Sequence, residues 1–105
     1  MILLGALVAV GCTPGSTPLP SATPATVDGV VTRVEGTSPT EVSSFVLRTD
    51  EGRLLDFSVG RLDLSGDAFP AGHLREHLAT AQPVRVTYVA DGGTPLAIRL
   101  EDAPP

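Results

Sequence analysis

SFVLRTDEGRLLDFSV, residues 44–59, is the stretch whose reading decides the fold. Phe45, Leu47 and Thr49 alternate with Ser44, Val46 and Arg48, and beyond Asp50-Glu51-Gly52 the alternation resumes with Leu55, Phe57 and Val59. A period of two marks a strand that buries one face and wets the other. Gly52 can take positive φ without steric cost, so the two runs read as an antiparallel hairpin with Phe45, Leu47, Leu55 and Phe57 turned inward.

The same period recurs on both sides of this hairpin. Upstream, Val30, Thr32 and Val34 alternate with Val31, Arg33 and Glu35, and Gly29 permits a bend where the strand begins. Downstream, after an irregular stretch over 60–69, Pro70 suits the first turn of a helix and Pro83 its end. The spacing between them predicts a short helix over 70–81 with Leu74, Leu78 and Ala81 on one apolar face. Alternation then resumes in Val84, Val86 and Tyr88, and Asp91-Gly92-Gly93 turns the chain into Leu96, Ile98 and Leu100. The expected core is Phe45, Leu47, Leu55, Phe57, Leu74, Leu78, Val86, Ile98 and Leu100.

This β-β-β-α-β-β order, running from Val27 to Glu101, resembles that of the oligonucleotide/oligosaccharide-binding (OB) fold. The resemblance implies a mainly β, five-stranded barrel with one short helix plugging an end. An open antiparallel sheet with the helix on one face satisfies the same alternation, the difference being whether the first and last strands meet.

Ahead of the domain, Ile2 to Val10 is an unbroken apolar run apart from Gly5, long enough for a signal-peptide core and about half of what a bilayer-spanning helix requires. It ends in Ala9-Val10-Gly11-Cys12, which resembles the lipobox of bacterial lipoproteins. That resemblance covers residues 1–12 and implies a diacylglycerol on the Cys12 thiol with cleavage just before it. Ala9 stands where the family usually has Leu, and no Lys or Arg precedes the apolar run. Ala9-Val10-Gly11 also meets the small-x-small rule of ordinary secretory cleavage. Residues 13–26, TPGSTPLPSATPAT, hold four prolines and four threonines and lack the apolar content for a core. An extended, polyproline-like tether of about 3 Å per residue, roughly 40 Å in all, is the expectation. The chain thus divides into a signal peptide (1–11), a Pro/Thr-rich tether (12–26) and an OB-like β-barrel domain (27–105).

Composition narrows the chemistry. Seven basic residues against twelve acids give a net charge of −5, which repels nucleic-acid phosphates and anionic headgroups and favours neutral or cationic partners. One cysteine excludes an internal disulfide. Three of the four aromatics, Phe45, Phe57 and Tyr88, fall on inward strand positions, and Arg33, Arg48, Arg53, Arg85 and Arg99 lie among acids on outward or edge positions. That is a salt-laced solvent face, not a stacking groove for nucleic acid.

Two strings carry metal-like spacing. His73-Leu74-Arg75-Glu76-His77 matches the H-x-x-E-H pattern of inverted zinc metalloproteases, in which the helix presents two imidazoles four residues apart and the glutamate serves as base. Those enzymes are several times larger and take a further ligand from a distant helix, so the preferred reading is a solvated helix face with His73 and His77 near the edge of the apolar stripe. Asp63, Ser65 and Asp67 alternate as in a calcium loop, but Ala68 and Leu74 stand where such a loop needs Gly and a bidentate Glu. No nucleophile, base and acid fall in a recognised order. No residue is assigned as catalytic or as a metal ligand, and no cofactor is implied. The expectation is an exported, lipid-anchored, non-catalytic envelope domain, tethered through Cys12 with the domain outside the cytoplasm. Its partner would be an envelope protein, a glycan or a small ligand, with a metal-binding protein or hydrolase built on His73, Glu76 and His77 as the alternative.

Overall fold

A computed structural model describes residues 23–90 and 92–104. The leader, Cys12, most of the tether and Asp91 lie outside the described residues. The elements run β1 (Ala25–Glu35), β2 (Ser44–Thr49), β3 (Leu54–Val59), a 3-10 turn (Ala71–His73), α1 (Leu74–Thr80), β4 (Val84–Val89) and β5 (Leu96–Asp102). The strands close into a barrel in the order β1-β2-β3-β5-β4. This is the small OB-like barrel with one helix, not the open sheet.

Closure is made differently from the expectation that the first and last strands meet. β1 is long enough to pair antiparallel with β2 through one half and with β4 through the other, and β3 meets β5 in a short parallel pairing at Ser58↔Leu96 and Val59↔Ala97. Gly29 stands where β1 passes between its two neighbours, opposite both Thr49 and Val84. A Cβ there would come within 2.4 Å of the Arg48 carbonyl oxygen, so only glycine lets the strands approach. β1 also begins at Ala25, where Ala25↔Tyr88 and Thr26↔Thr87 extend its pairing two residues ahead of the expected domain start.

The central hairpin has the register its alternation dictates. Phe45 faces Phe57 and Leu47 faces Leu55. The turn is closed by the Gly52 amide donating to the Thr49 carbonyl, with Gly52 at φ 86°. The Phe45 and Phe57 rings stack at 5.2 Å, and Tyr88 meets Phe57 edge-on at the same separation. Around them Val31, Val42, Leu47, Phe69, Leu74, Val84, Val86, Ala97 and Leu100 complete the buried core, with Leu55 half-buried against it.

Two expected core positions, Ile98 and Leu78, give way to neighbours. In β5, Ala97 is fully buried while Leu96 and Ile98 are half-exposed. The pairing with β4 steps from Thr87↔Arg99 to Tyr88↔Ala97, leaving Ile98 as the extra residue of a bulge, which shifts the inward parity by one. A second bulge at Thr32 turns both Val31 and Val34 towards the barrel, three residues apart, and the Thr32 hydroxyl donates to the Val46 carbonyl. In α1 the buried pair is Leu74 and His77, while Leu78 is 40% exposed and Ala81 is exposed. The helix is rotated so that an imidazole occupies the face where a leucine was expected.

The charged residues are laced as the composition implies. Asp28 and Arg85 face each other across β1 and β4 in a two-pronged pair at 2.8 and 3.0 Å, and Arg99 bridges Asp63 and Glu101. The loop over 60–69 follows the outer edge of β5, where the Asp63 and Phe69 amides donate to the Ile98 and Leu100 carbonyls. Asp63 accepts from the Ser65 amide and hydroxyl, an Asx-type turn that accounts for the Asp-Ser alternation in that loop. Among the described residues, no helix is long and apolar enough to cross a membrane.

Candidate functional site

The helix end of the barrel gathers the chemistry-bearing side chains. Pro70 in extended conformation leads into the 3-10 turn, and α1 ends at Ala81, whose left-handed backbone (φ 61°) lets its amide return to the His77 carbonyl. This short element places His73 and His77 one turn apart beside Phe69. The His77 ring stacks on Phe69 at 5.1 Å with 15° between planes, and His73 packs at 4.7 Å from Phe69 and 5.0 Å from His77.

His77 is 3% exposed, the one buried polar or charged side chain among the described residues. Its Nδ1 lies 2.9 Å from the Gln82 carbonyl oxygen. A carbonyl only accepts, so Nδ1 carries the hydrogen. His77 Nε2 lies 2.8 Å from Asp102 Oδ1, at the end of β5. Asp102 comes there through register: it pairs with Val84, which is fully buried, and so sits on the inward-facing row at the barrel mouth that α1 covers. On the solvent side, His73 Nδ1 lies 3.3 Å from Glu76 Oε1. One donor atom from each of His73, His77 and Asp102 falls within 4.8 Å of the others.

The H-x-x-E-H string therefore divides. Its two histidines converge, as the spacing requires of a helix, but His77 is in the core and not at the edge of a solvated face. Glu76 points away, its side chain 74% exposed, and engages only His73. Asp102 was missed by sequence reading, since an acid near the chain end has no local signal linking it to residue 77.

A second feature is an open groove of about 490 Å³ between the β1–β2 loop and the segment leading to the helix. Thr37, Thr40, Glu41 and Ser43 supply a polar rim, and Val42, Val59, Leu62 and Ala71 are among its apolar lining. The loop wall is braced: Thr37 donates to Glu41, the Glu41 amide bonds Ser38, and Arg75 of α1 donates to the Ser38 and Pro39 carbonyls. The groove is thus tied to the same helix that carries the histidines.

Two carboxylates away from these features are held below the usual range. For Asp28 the leading cause is the hydrogen bond from Arg85, and for Asp63 it is the pair of hydrogen bonds from Ser65, followed by the charge of Arg99. Both act at the barrel wall and neither faces the histidines. Compared with known protein families, with curated proteins and with solved structures, the chain gives no match.

Proposed function

We propose that this chain is a non-catalytic binding domain of the cell envelope, exported and held at the membrane by a diacylglycerol on Cys12. Its groove receives an apolar side chain from a neutral or basic segment of another envelope protein. The observation that carries the reading is the braced groove. Its floor is aliphatic, its rim offers hydroxyl groups, and Glu41 is the charged residue lining it, so it suits a partner with an apolar anchor and no excess negative charge. The net charge of −5 acts in the same sense over longer range. The phenylalanine rings lie in the core and do not line the groove, which weighs against stacked bases or sugars.

The anchor rests on the lipobox-like Ala9-Val10-Gly11-Cys12 and on the Pro/Thr stretch behind it. Two acyl chains, at about 0.8 kcal/mol per buried methylene, are enough to hold an acidic domain at a membrane. A single cell experiment tests both halves. A photo-crosslinking residue is placed at Thr40 in the groove or at Gly92 in the β4–β5 turn, each in the native background and with Cys12→Ser. Adducts of defined mass from Thr40 but not Gly92, in the membrane fraction and lost with Cys12→Ser, are expected. Equal labelling from both positions would overturn the groove, and a Cys12→Ser protein that stays in the membrane fraction would overturn the anchor.

A further inference from the structure

We infer that His73, His77 and Asp102 form a binding site for a divalent transition cation of the zinc class, oriented by Glu76 and the Gln82 carbonyl. The inference goes beyond the groove reading and stands without it. Three observations converge on it.

The donor set is the first. Two imidazoles and one carboxylate, each offering an atom within 4.8 Å of the other two, match the borderline-soft N/O preference of zinc-class ions and not the all-oxygen shells of calcium or magnesium. In a tetrahedral site with bonds of about 2.0–2.1 Å, ligand atoms stand about 3.3 Å apart. His77 Nε2 and Asp102 Oδ1, at 2.8 Å, need only separate slightly to admit an ion. His73 makes the remaining approach, and its side chain is 35% exposed.

The second observation is how the far side of each ring is occupied. Metal-binding histidines commonly donate their other nitrogen to a carbonyl or carboxylate, which fixes the tautomer and aims the lone pair at the metal. His77 does this through Nδ1 to the Gln82 carbonyl at 2.9 Å, which leaves Nε2 facing Asp102. Glu76 stands beside His73, 3.3 Å from Nδ1, where it holds the ring through that nitrogen. Glu76 is thus a positioning residue in this site, where the H-x-x-E-H pattern would have made it a general base.

The third is rigidity at one point and openness at another. His77 is fixed in the core by Phe69 and Gln82, whereas Asp102 is 73% exposed at its side chain, so an ion reaches a pre-aimed imidazole from solvent. Three protein ligands leave a fourth position for water or for an atom of a partner, as three-ligand zinc sites do.

Zinc and cobalt titrations of the full chain test this, with Cys12→Ser in every sample so that the thiol contributes no ligand. One Zn2+ per chain is expected, with a raised unfolding midpoint, and Co2+ should give the visible absorption of a four-coordinate site. Asp102→Asn and His73→Ala alter exposed or part-exposed side chains and are expected to fold, as circular dichroism would check. Each should weaken zinc binding by more than the roughly 10–100-fold that loss of an outer partner costs, whereas Glu76→Ala should fall within that range. His77→Ala adds a second comparison if it too stays folded. Absence of stoichiometric uptake, or uptake unchanged by both Asp102→Asn and His73→Ala, would overturn the site and leave His77 as a structural clasp between α1 and β5.

Discussion

Two regions of the barrel interior are filled by opposite means. Along the central hairpin, Phe45, Leu47 and Phe57 are sealed in an apolar interior where contact and exclusion of water supply the stability. At the helix end, the space beside Leu74 and Phe69 is taken by His77, whose polar atoms are met by Gln82 and Asp102 from two other segments. Among the described residues no buried side-chain nitrogen or oxygen lacks a partner, so this polar plug is complete. The lesson is that the first region depends on the volume and shape of its residues, while the second depends on particular atoms. Chemistry is therefore to be sought at the second.

The largest effect that sharpens the contrast is in the dry region. Phe57 is fully buried between Phe45 and Tyr88, and Phe57→Ala should cost about 3–5 kcal/mol, comparable to the whole stability of so small a domain. Circular dichroism should show a largely unfolded protein at 25 °C. A cooperative transition with a nearly unchanged midpoint would show that the stacked rings are not the keystone of the core.

At the polar end the comparison is between neighbours in sequence. His77→Leu keeps an apolar body but leaves the Gln82 carbonyl without its donor, and should cost about 1–3 kcal/mol in urea unfolding. Leu78→Gln, one residue on and 40% exposed, should stay within about 0.5 kcal/mol of the parent. Reversal of that order would mean that the helix presents Leu78 to the barrel in solution and that the polar plug is not formed.

The smallest effect belongs to the barrel wall, where β1 meets β4. Because Arg85 holds Asp28 below the usual carboxylate range, the stability from this pair is present above that range and is lost as pH falls through the lowered value. The two side chains are 39% and 38% exposed, so solvent screens the pair and about 0.2–1 kcal/mol is its scale. Arg85→Met should reduce the loss of stability between pH 7 and pH 3 by up to that amount. An unchanged pH dependence would show that the pair is solvated and contributes nothing.

Much of this architecture follows from the order of the residues. Period-two runs at 44–59 and 84–88 determine which faces of β2, β3 and β4 are buried, because a strand that buries one face must alternate. Pro70 and Pro83 bracket the helix because proline opens a first turn readily and cannot continue a helix from within. The bulges at Thr32 and Ile98 are different. Each is an extra residue accommodated against the register of a neighbouring strand, and a single strand's alternation carries no mark of it. That is why Ala97, small and unremarkable in sequence, takes the place expected of Ile98.

The histidine cluster divides along the same line. Helical spacing by itself determined that His73 and His77 share a side, since four residues span about one turn. Which side faces the barrel was decided only by tertiary structure. Seven residues of α1 give too short a periodic signal to choose between His77 and Leu78, about 100° apart around the axis. The choice falls to Phe69, Gln82 and Asp102, which lie outside the helix and meet His77 only once the barrel is closed. Asp102 arrives through the pairing of β5 with β4, a hairpin that the Asp91-Gly92-Gly93 turn announces, but its meeting with His77 depends on how that hairpin and α1 pack together, for which the local sequence holds no code.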